Sequence, residues 1–322
     1  MRKAGHRRRD PIESVLRKPH IVVEQGLSEL RYLILTQGLS NDPEKDFCSY
    51  RPYVWGILLK VPPIQSKDYL ALIHRGASPA YSKIRNDTFR TLTTDILFQR
   101  RVSETSLIRI LNALAWKRWD HYHLRQELQK QYQTSRSRRE LYVQGLNVLA
   151  APFLYACGSE TQAFALFDTY IHGCCPLYVK PMLEGVHLGL KLLDTSLKII
   201  DPTLFSYLKR KLLTAELYGF ASVLTFSACT PPLNEVLILW DFLIAFGPHM
   251  NILAVVAQLL LIRDSILASQ SPMTLLRTFP PLQAKNVITL AVSFVSKLPE
   301  ELYDLLVRHT YDETVSDKIK TL

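Results

Sequence analysis

Apolar residues recur at three- and four-residue intervals along nearly the whole chain, whereas strict alternation, the mark of a half-buried strand, is scarce. Leu27, Leu30, Leu33 and Ile34 fall on one helical face, as do Leu107, Ile110, Leu111 and Leu114, the latter followed by Trp116 and Trp119. Start signals match this period. Asp10-Pro11-Ile12-Glu13 reads as an N-cap, a proline at the first helical position and a capping-box acid. Ser159-Glu160-Thr161-Gln162 repeats the box, and Asp201-Pro202 and Ser271-Pro272 repeat the cap followed by proline. The expectation is an all-α fold of a dozen or more helices, and no fixed repeat of a solenoid accompanies it.

The 322 residues suffice for one large or two ordinary domains, and 48% apolar with 21% charged residues excludes wholesale disorder. Five scattered cysteines (48, 157, 174, 175 and 229) do not make a disulfide scaffold or a zinc ribbon and read as free thiols. The start is basic and then acidic rather than apolar, unlike a secretory signal. Phe242 to Ile262 is long and uncharged enough to span a bilayer, but Gly247-Pro248-His249-Met250-Asn251 interrupts it. Two buried helices joined by a turn are expected there, and with them a soluble intracellular protein with no transmembrane segment.

A net charge of +10 favours an acidic partner. The excess gathers in two places: Met1 to Asp10, with five Lys/Arg against one acid, and Lys117 to Arg139, with seven against two. The commoner meaning of such runs is a solvated face or a loose tail.

Signatures of nucleotide, zinc and serine-nucleophile chemistry (GxxxxGK[ST], GxGxxG, HExxH and GxSxG) are missing. The nine histidines are dispersed, and His121 and His123 would point to different sides of a helix, so no metal site is expected. The four tryptophans, 55, 116, 119 and 240, sit in apolar runs and are expected in the core.

Two segments stand out. Ile84 to Thr91 has the pattern IxxDxxR, in which Asp87 precedes Arg90 by three residues; on one helix face the carboxylate could hold the guanidinium in a set direction. Tyr142-Val143-Gln144-Gly145 precedes an apolar helix expected over 146–156, with the glycine allowing close backbone approach and Gln144 exposed at the helix start. Taken singly, these are a surface ion pair and a helix-start turn.

Together they resemble the TBC domain of GTPase-activating proteins for Rab-type small GTPases, whose signatures are IxxDxxR and YxQG at about this separation. Arg51-Pro52-Tyr53-Val54-Trp55 looks like the family's opening R…W block, Ala163-Phe164 follows the QG helix, and Leu237 to Asp241 looks like its late WD block. The resemblance covers about residues 46–300. Within the family, the runs 85–92, Arg101 to Glu104 and Leu111-Asn112-Ala113 resemble the small TBC subunit of the fungal mitotic-exit and septation checkpoint. Two positions depart from the family pattern. Leu92-Thr93-Thr94 stands where a proline commonly follows the first motif, and Phe220 to Phe226 lacks a common tryptophan.

The resemblance implies a two-lobed helical fold: a basic, flexible segment 1–20, a TBC domain over 21–310 with lobes at about 21–170 and 171–310, and a polar tail 311–322. It assigns Arg90 as an arginine finger and Gln144 as a glutamine finger aligning the attacking water. Asp87, Ile84, Tyr142 and Gly145 would support them. GTP and Mg²⁺ would be bound by the partner, a Rab- or Ras-type GTPase, so this chain needs no cofactor and no P-loop. It further implies a bridging subunit and a cytoplasmic location at the spindle pole body or its centrosome equivalent. The rival readings are a catalytically silent TBC scaffold or adaptor and a basic nucleic-acid binder; no known base-contacting motif favours the latter, and no nucleic-acid partner is expected.

Overall fold

The structure is a computed structural model that describes residues 11–17, 23–41, 47–132 and 141–319. The basic runs Arg2 to Arg9 and Arg136 to Arg139 lie outside them. The described residues form α-helices and no strand. The first half contains α1 (Pro11–Arg17), α2 (Val23–Thr36), α3 (Arg51–Leu58), α4 (Ser66–His74), α5 (Tyr81–Thr88), α6 (Ile96–Arg101), α7 (Glu104–Tyr132), α8 (Leu146–Ala156) and α9 (Glu160–Thr169). The second contains α10 (Glu184–Ile200), α11 (Pro202–Arg210), α12 (Ala215–Tyr218), α13 (Phe220–Leu224), α14 (Leu233–Phe246) and α15 (Met250–Leu261). It ends with α16 (Arg263–Ala268), α17 (Pro272–Arg277), α18 (Ala284–Val295), α19 (Glu300–Arg308) and α20 (Val315–Ile319).

Local signals account for many of the boundaries. Ser159 Oγ accepts the Gln162 amide at 3.2 Å to open α9, and Asp201 Oδ1 accepts the Leu204 amide at 2.9 Å to open α11 behind Pro202. Ser271 makes no such bond, so Pro272 alone marks the start of α17. The interrupted apolar stretch is α14 and α15. Gly247 turns between them at φ +114, where an added Cβ would stand 2.5 Å from the His249 ring. Among the described residues no helix is long and apolar enough to cross a membrane.

Packing follows the apolar stripes. Leu30, Leu33 and Ile34 bury one face of α2, and Leu107, Ile110, Leu111 and Leu114 bury one face of α7. Aromatic rings run through the centre: Trp55, Phe153, Trp240, Tyr170, Phe226 and Tyr178 pack in succession at centroid separations of 4.6 to 5.7 Å. Each such side chain contributes about 1.5–3 kcal/mol by leaving water. The succession includes rings from both halves of the chain, and α14 packs against α2, α3 and α8 as well as α15 and α18.

Three expectations change. Trp116 and Trp119 are both partly exposed; Trp119 packs against the edge of the core, whereas Trp116 stands apart from it. Trp116 instead donates to the Gly76 carbonyl at 2.9 Å beneath the Arg75 guanidinium, 4.0 Å from its ring. Within the stretch expected to be flexible, residues 11–17 form the helix that the Asp10-Pro11-Ile12-Glu13 start signal predicts, and Ile12 and Val15 bury against α2. Within the expected polar tail, Val315 is fully buried on α20, and the preceding Thr310 carbonyl accepts the Leu177 amide at 3.1 Å.

Candidate functional site

α5 ends at Thr88, and the chain then turns through Phe89 to Asp95 before α6. Ile84 is fully buried and fixes the face of α5 that meets the core. Asp87, one turn further on, is buried as well. Arg90 therefore lies in the turn beyond the helix rather than on its face, yet its Nη2 reaches Asp87 Oδ1 in an ion pair. Its side chain stays 56% exposed. This contact uses one guanidinium nitrogen, and a guanidinium has five N–H donors.

The other oxygen of Asp87 belongs to the second motif. Tyr142 donates its hydroxyl to Asp87 Oδ2 at 2.9 Å. Burial, reinforced by the Asp87 charge, pushes the Tyr142 phenol well above its ordinary range, so it stays protonated as a donor. Asn147 on α8 completes the tie: its Nδ2 donates to Thr91 Oγ1 at 2.9 Å, and Thr91 Oγ1 donates to the Asp87 carbonyl at 3.0 Å. Sequence reasoning missed Asn147. The signal was available, because it is the one amide side chain within the otherwise apolar run 146–156.

The turn is anchored at its far end too. Asp95 caps α6 by accepting the Phe98 amide at 2.9 Å, and its second oxygen accepts the Leu233 amide at 3.0 Å at the start of α14. One carboxylate thus serves two helix N-termini, where negative charge is favourable. Between these anchors Leu92 adopts φ +46, a left-handed conformation that proline, held near −65°, cannot take.

Gln144 is exposed, directly after the buried pair Tyr142 and Val143. Gly145 follows at φ +103, and an added Cβ would stand 2.9 Å from Leu224 Cδ2 on α13. Glycine is needed here for both dihedral and space. Helix α8 begins at the next residue.

A second constellation lies inside the molecule. Arg51 on α3 forms a bidentate pair with Asp241 on α14, Nε to Oδ1 at 2.9 Å and Nη2 to Oδ2 at 3.1 Å, and Trp55 Nε1 donates to Asp241 Oδ1 at 2.8 Å. Burial opposes the charge on Arg51, but the Asp241 carboxylate outweighs it and the guanidinium pKa rises. The R…W and WD blocks are thereby one structural clamp, remote in chemistry from the exposed Arg90.

Among the described residues no group of three or more His, Cys, Asp or Glu is placed to hold a metal. The basic run from Lys117 is less free than its composition suggests. Lys117 pairs with Asp168 at 2.5 Å, and Arg118 donates to the Val179 carbonyl at 3.2 Å.

The Rab-GTPase-TBC domain family matches residues 48–267. Cell division control protein 16 of Schizosaccharomyces pombe is 48% identical over 286 residues, covering 89% of each chain. Mitotic check point protein BUB2 of Saccharomyces cerevisiae is 44% identical over 307 residues, covering 94% of this chain and 98% of that one. The crystal structure of the Ypt/Rab-GAP domain of Gyp1p superposes with a TM-score of 0.69 at 17% identity, over 88% of this chain and 96% of that one.

Proposed function

The chain belongs to the Rab-GTPase-TBC domain family, and from that premise we propose that it is a GTPase-activating protein whose Arg90 and Gln144 act in trans on a Rab- or Ras-type GTPase. The observation that carries the reading is the Arg90–Asp87–Tyr142 chain of contacts, which couples an exposed guanidinium to the loop presenting an exposed glutamine. During phosphoryl transfer, negative charge spreads over the γ-phosphate oxygens. Arg90, oriented beforehand by a buried carboxylate, offers its remaining donors to those oxygens. Gln144, with one amide donor group and one acceptor, orients the attacking water. An arginine finger supplies about 10³–10⁵ in rate, or about 4–7 kcal/mol of barrier. GTP and Mg²⁺ belong to the partner GTPase.

The relatives named for cell division control and the mitotic check point support a role in restraining mitotic exit or septation. In this proposal the chain works with a bridging subunit at the spindle pole body or its equivalent. The test is single-turnover GTP hydrolysis by candidate Rab- and Ras-type GTPases, with and without that subunit. Acceleration by three orders of magnitude supports the proposal. Binding of a GTP-loaded partner without acceleration would instead make the chain a silent scaffold.

A further inference from the structure

The turn that carries Arg90 also presents Phe89, whose side chain has no part in the chemistry above. Phe89 is 64% exposed, and it belongs neither to the core nor to the partly buried apolar residues packed upon it. Around it Asp87, Thr88 and Thr91 are buried, and of its two chain neighbours only Arg90 is exposed as well. The backbone beneath the ring is held by Thr88 Oγ1 donating to the Arg85 carbonyl at 3.2 Å and by the bonds joining Thr91 to Asp87 and Asn147. The ring is therefore displayed from a fixed turn.

Consecutive Cα atoms are about 3.8 Å apart. A protein that receives the Arg90 guanidinium into its nucleotide pocket approaches to within one such step of Phe89. We infer that Phe89 is an affinity anchor, docking against an apolar patch on the small GTPase beside the mouth of its nucleotide pocket. The inference rests on the finger reading of Arg90. Aromatic side chains are enriched in protein interfaces because they remove a large apolar area from water with few rotatable bonds. A pre-positioned ring adds to this by losing little freedom on association.

An anchor and a finger leave different kinetic marks. The anchor contributes equally to ground and transition states, so its loss weakens binding without slowing the bound complex, whereas loss of the finger slows the bound complex. The experiment is single-turnover hydrolysis by GTP-loaded Rab- and Ras-type GTPases, titrated with the full chain together with its bridging subunit. Each curve yields a half-saturating concentration and a maximal rate. Phe89→Ala is expected to raise the half-saturating concentration about 10- to 100-fold while keeping the maximal rate within about threefold. Phe89→Leu should recover most of the loss, and Phe89→Glu should exceed it. Melting temperatures should stay near the wild-type value, because the ring is mostly exposed and lies outside the core.

An unchanged half-saturating concentration in Phe89→Ala, or a lowered maximal rate at unchanged half-saturation, overturns the anchor. Arg90→Ala run beside it separates the two ideas: a collapse of its maximal rate keeps the finger reading whatever Phe89 does. If the wild-type chain engages no GTPase in the set, the anchor falls together with that reading.

Discussion

Tyr142 donates to Oδ2 of Asp87 at 2.9 Å while Oδ1 of the same carboxylate holds Arg90, so two sequence motifs meet on one buried group. Asp87 is the junction. A buried carboxylate with both oxygens engaged has little freedom to turn, and the arginine it holds inherits that direction. The arrangement explains why a tyrosine stands two residues before an exposed glutamine: its hydroxyl reports to the arginine rather than to the glutamine.

Tyr142→Phe removes only that hydroxyl. It leaves a buried acceptor without its donor, which costs about 1–3 kcal/mol of stability. The rate should fall further than stability alone would require, by about 10- to 100-fold, because Arg90 loses its orientation. Urea unfolding together with single-turnover hydrolysis measures both. A wild-type rate in a destabilised Tyr142→Phe protein would show that Asp87 does not transmit orientation.

The Arg51–Asp241 pair should behave as a structural clamp. Asp241→Asn leaves the Arg51 charge buried without its counter-charge, and such breakage costs about 3–5 kcal/mol. The loss should appear in the midpoint of urea unfolding. In whatever fraction remains folded, stimulation per molecule should be unchanged, since neither residue reaches the surface. A lowered rate per folded molecule in Asp241→Asn would place the pair in the chemistry instead.

How much of this was legible in the sequence depended on range. Period and caps gave α2, α7, α9 and α11, since both signals act within a few residues. The resemblance to the TBC family carried by the two motifs pointed to Arg90 and Gln144, and the structure puts both at the surface. What stayed hidden needed a partner far along the chain. Asp95 caps α6 locally, but only the fold brings the Leu233 amide to its second oxygen. Trp116 and Trp119 matched the apolar stripe, but α7 outruns the core that covers Leu107 to Leu114, leaving them partly in water. Ile12 and Val315 were too isolated within charged segments to reveal that tertiary contacts would bury them.

Stability should depend on pH through two buried histidines. His309 donates Nδ1–H to the Leu306 carbonyl at 2.5 Å and accepts from the Tyr178 hydroxyl at Nε2 at 2.8 Å, an arrangement only the neutral ring can adopt. Burial holds its pKa down at about 4, and burial does the same to His249, also at about 4, against an unfolded value of about 6.5. Between those values the unfolded chain binds more protons, so stability is complete above about 6.5 and declines as pH falls toward about 4. The loss is at most about 3 kcal/mol per histidine. Urea unfolding at pH 7, 6 and 5 should show it before ordinary carboxylates titrate, and His249→Gln should flatten the slope. Equal stability at pH 7 and 5 would contradict neutral burial.

Gln144 tests the second finger. Its side chain is exposed, so Gln144→Ala should change the unfolding free energy by less than about 0.5 kcal/mol. Stimulated hydrolysis should nevertheless fall by about two to three orders of magnitude, as when a transition-state contact is removed. A large stability loss with retained specific activity would make the residue a helix-start cap and nothing more.

Whether Arg90 enters the active site of another protein is read from the single-turnover rate of GTP hydrolysis at saturating concentrations of wild-type, Arg90→Ala and Arg90→Lys chains. An arginine finger requires a loss of about 10³-fold or more in both variants, with unfolding midpoints and GTPase binding near wild type. Lysine fails here because it keeps the charge but loses the planar fork. Wild-type hydrolysis by the Arg90→Ala chain would mean that Arg90 is no finger.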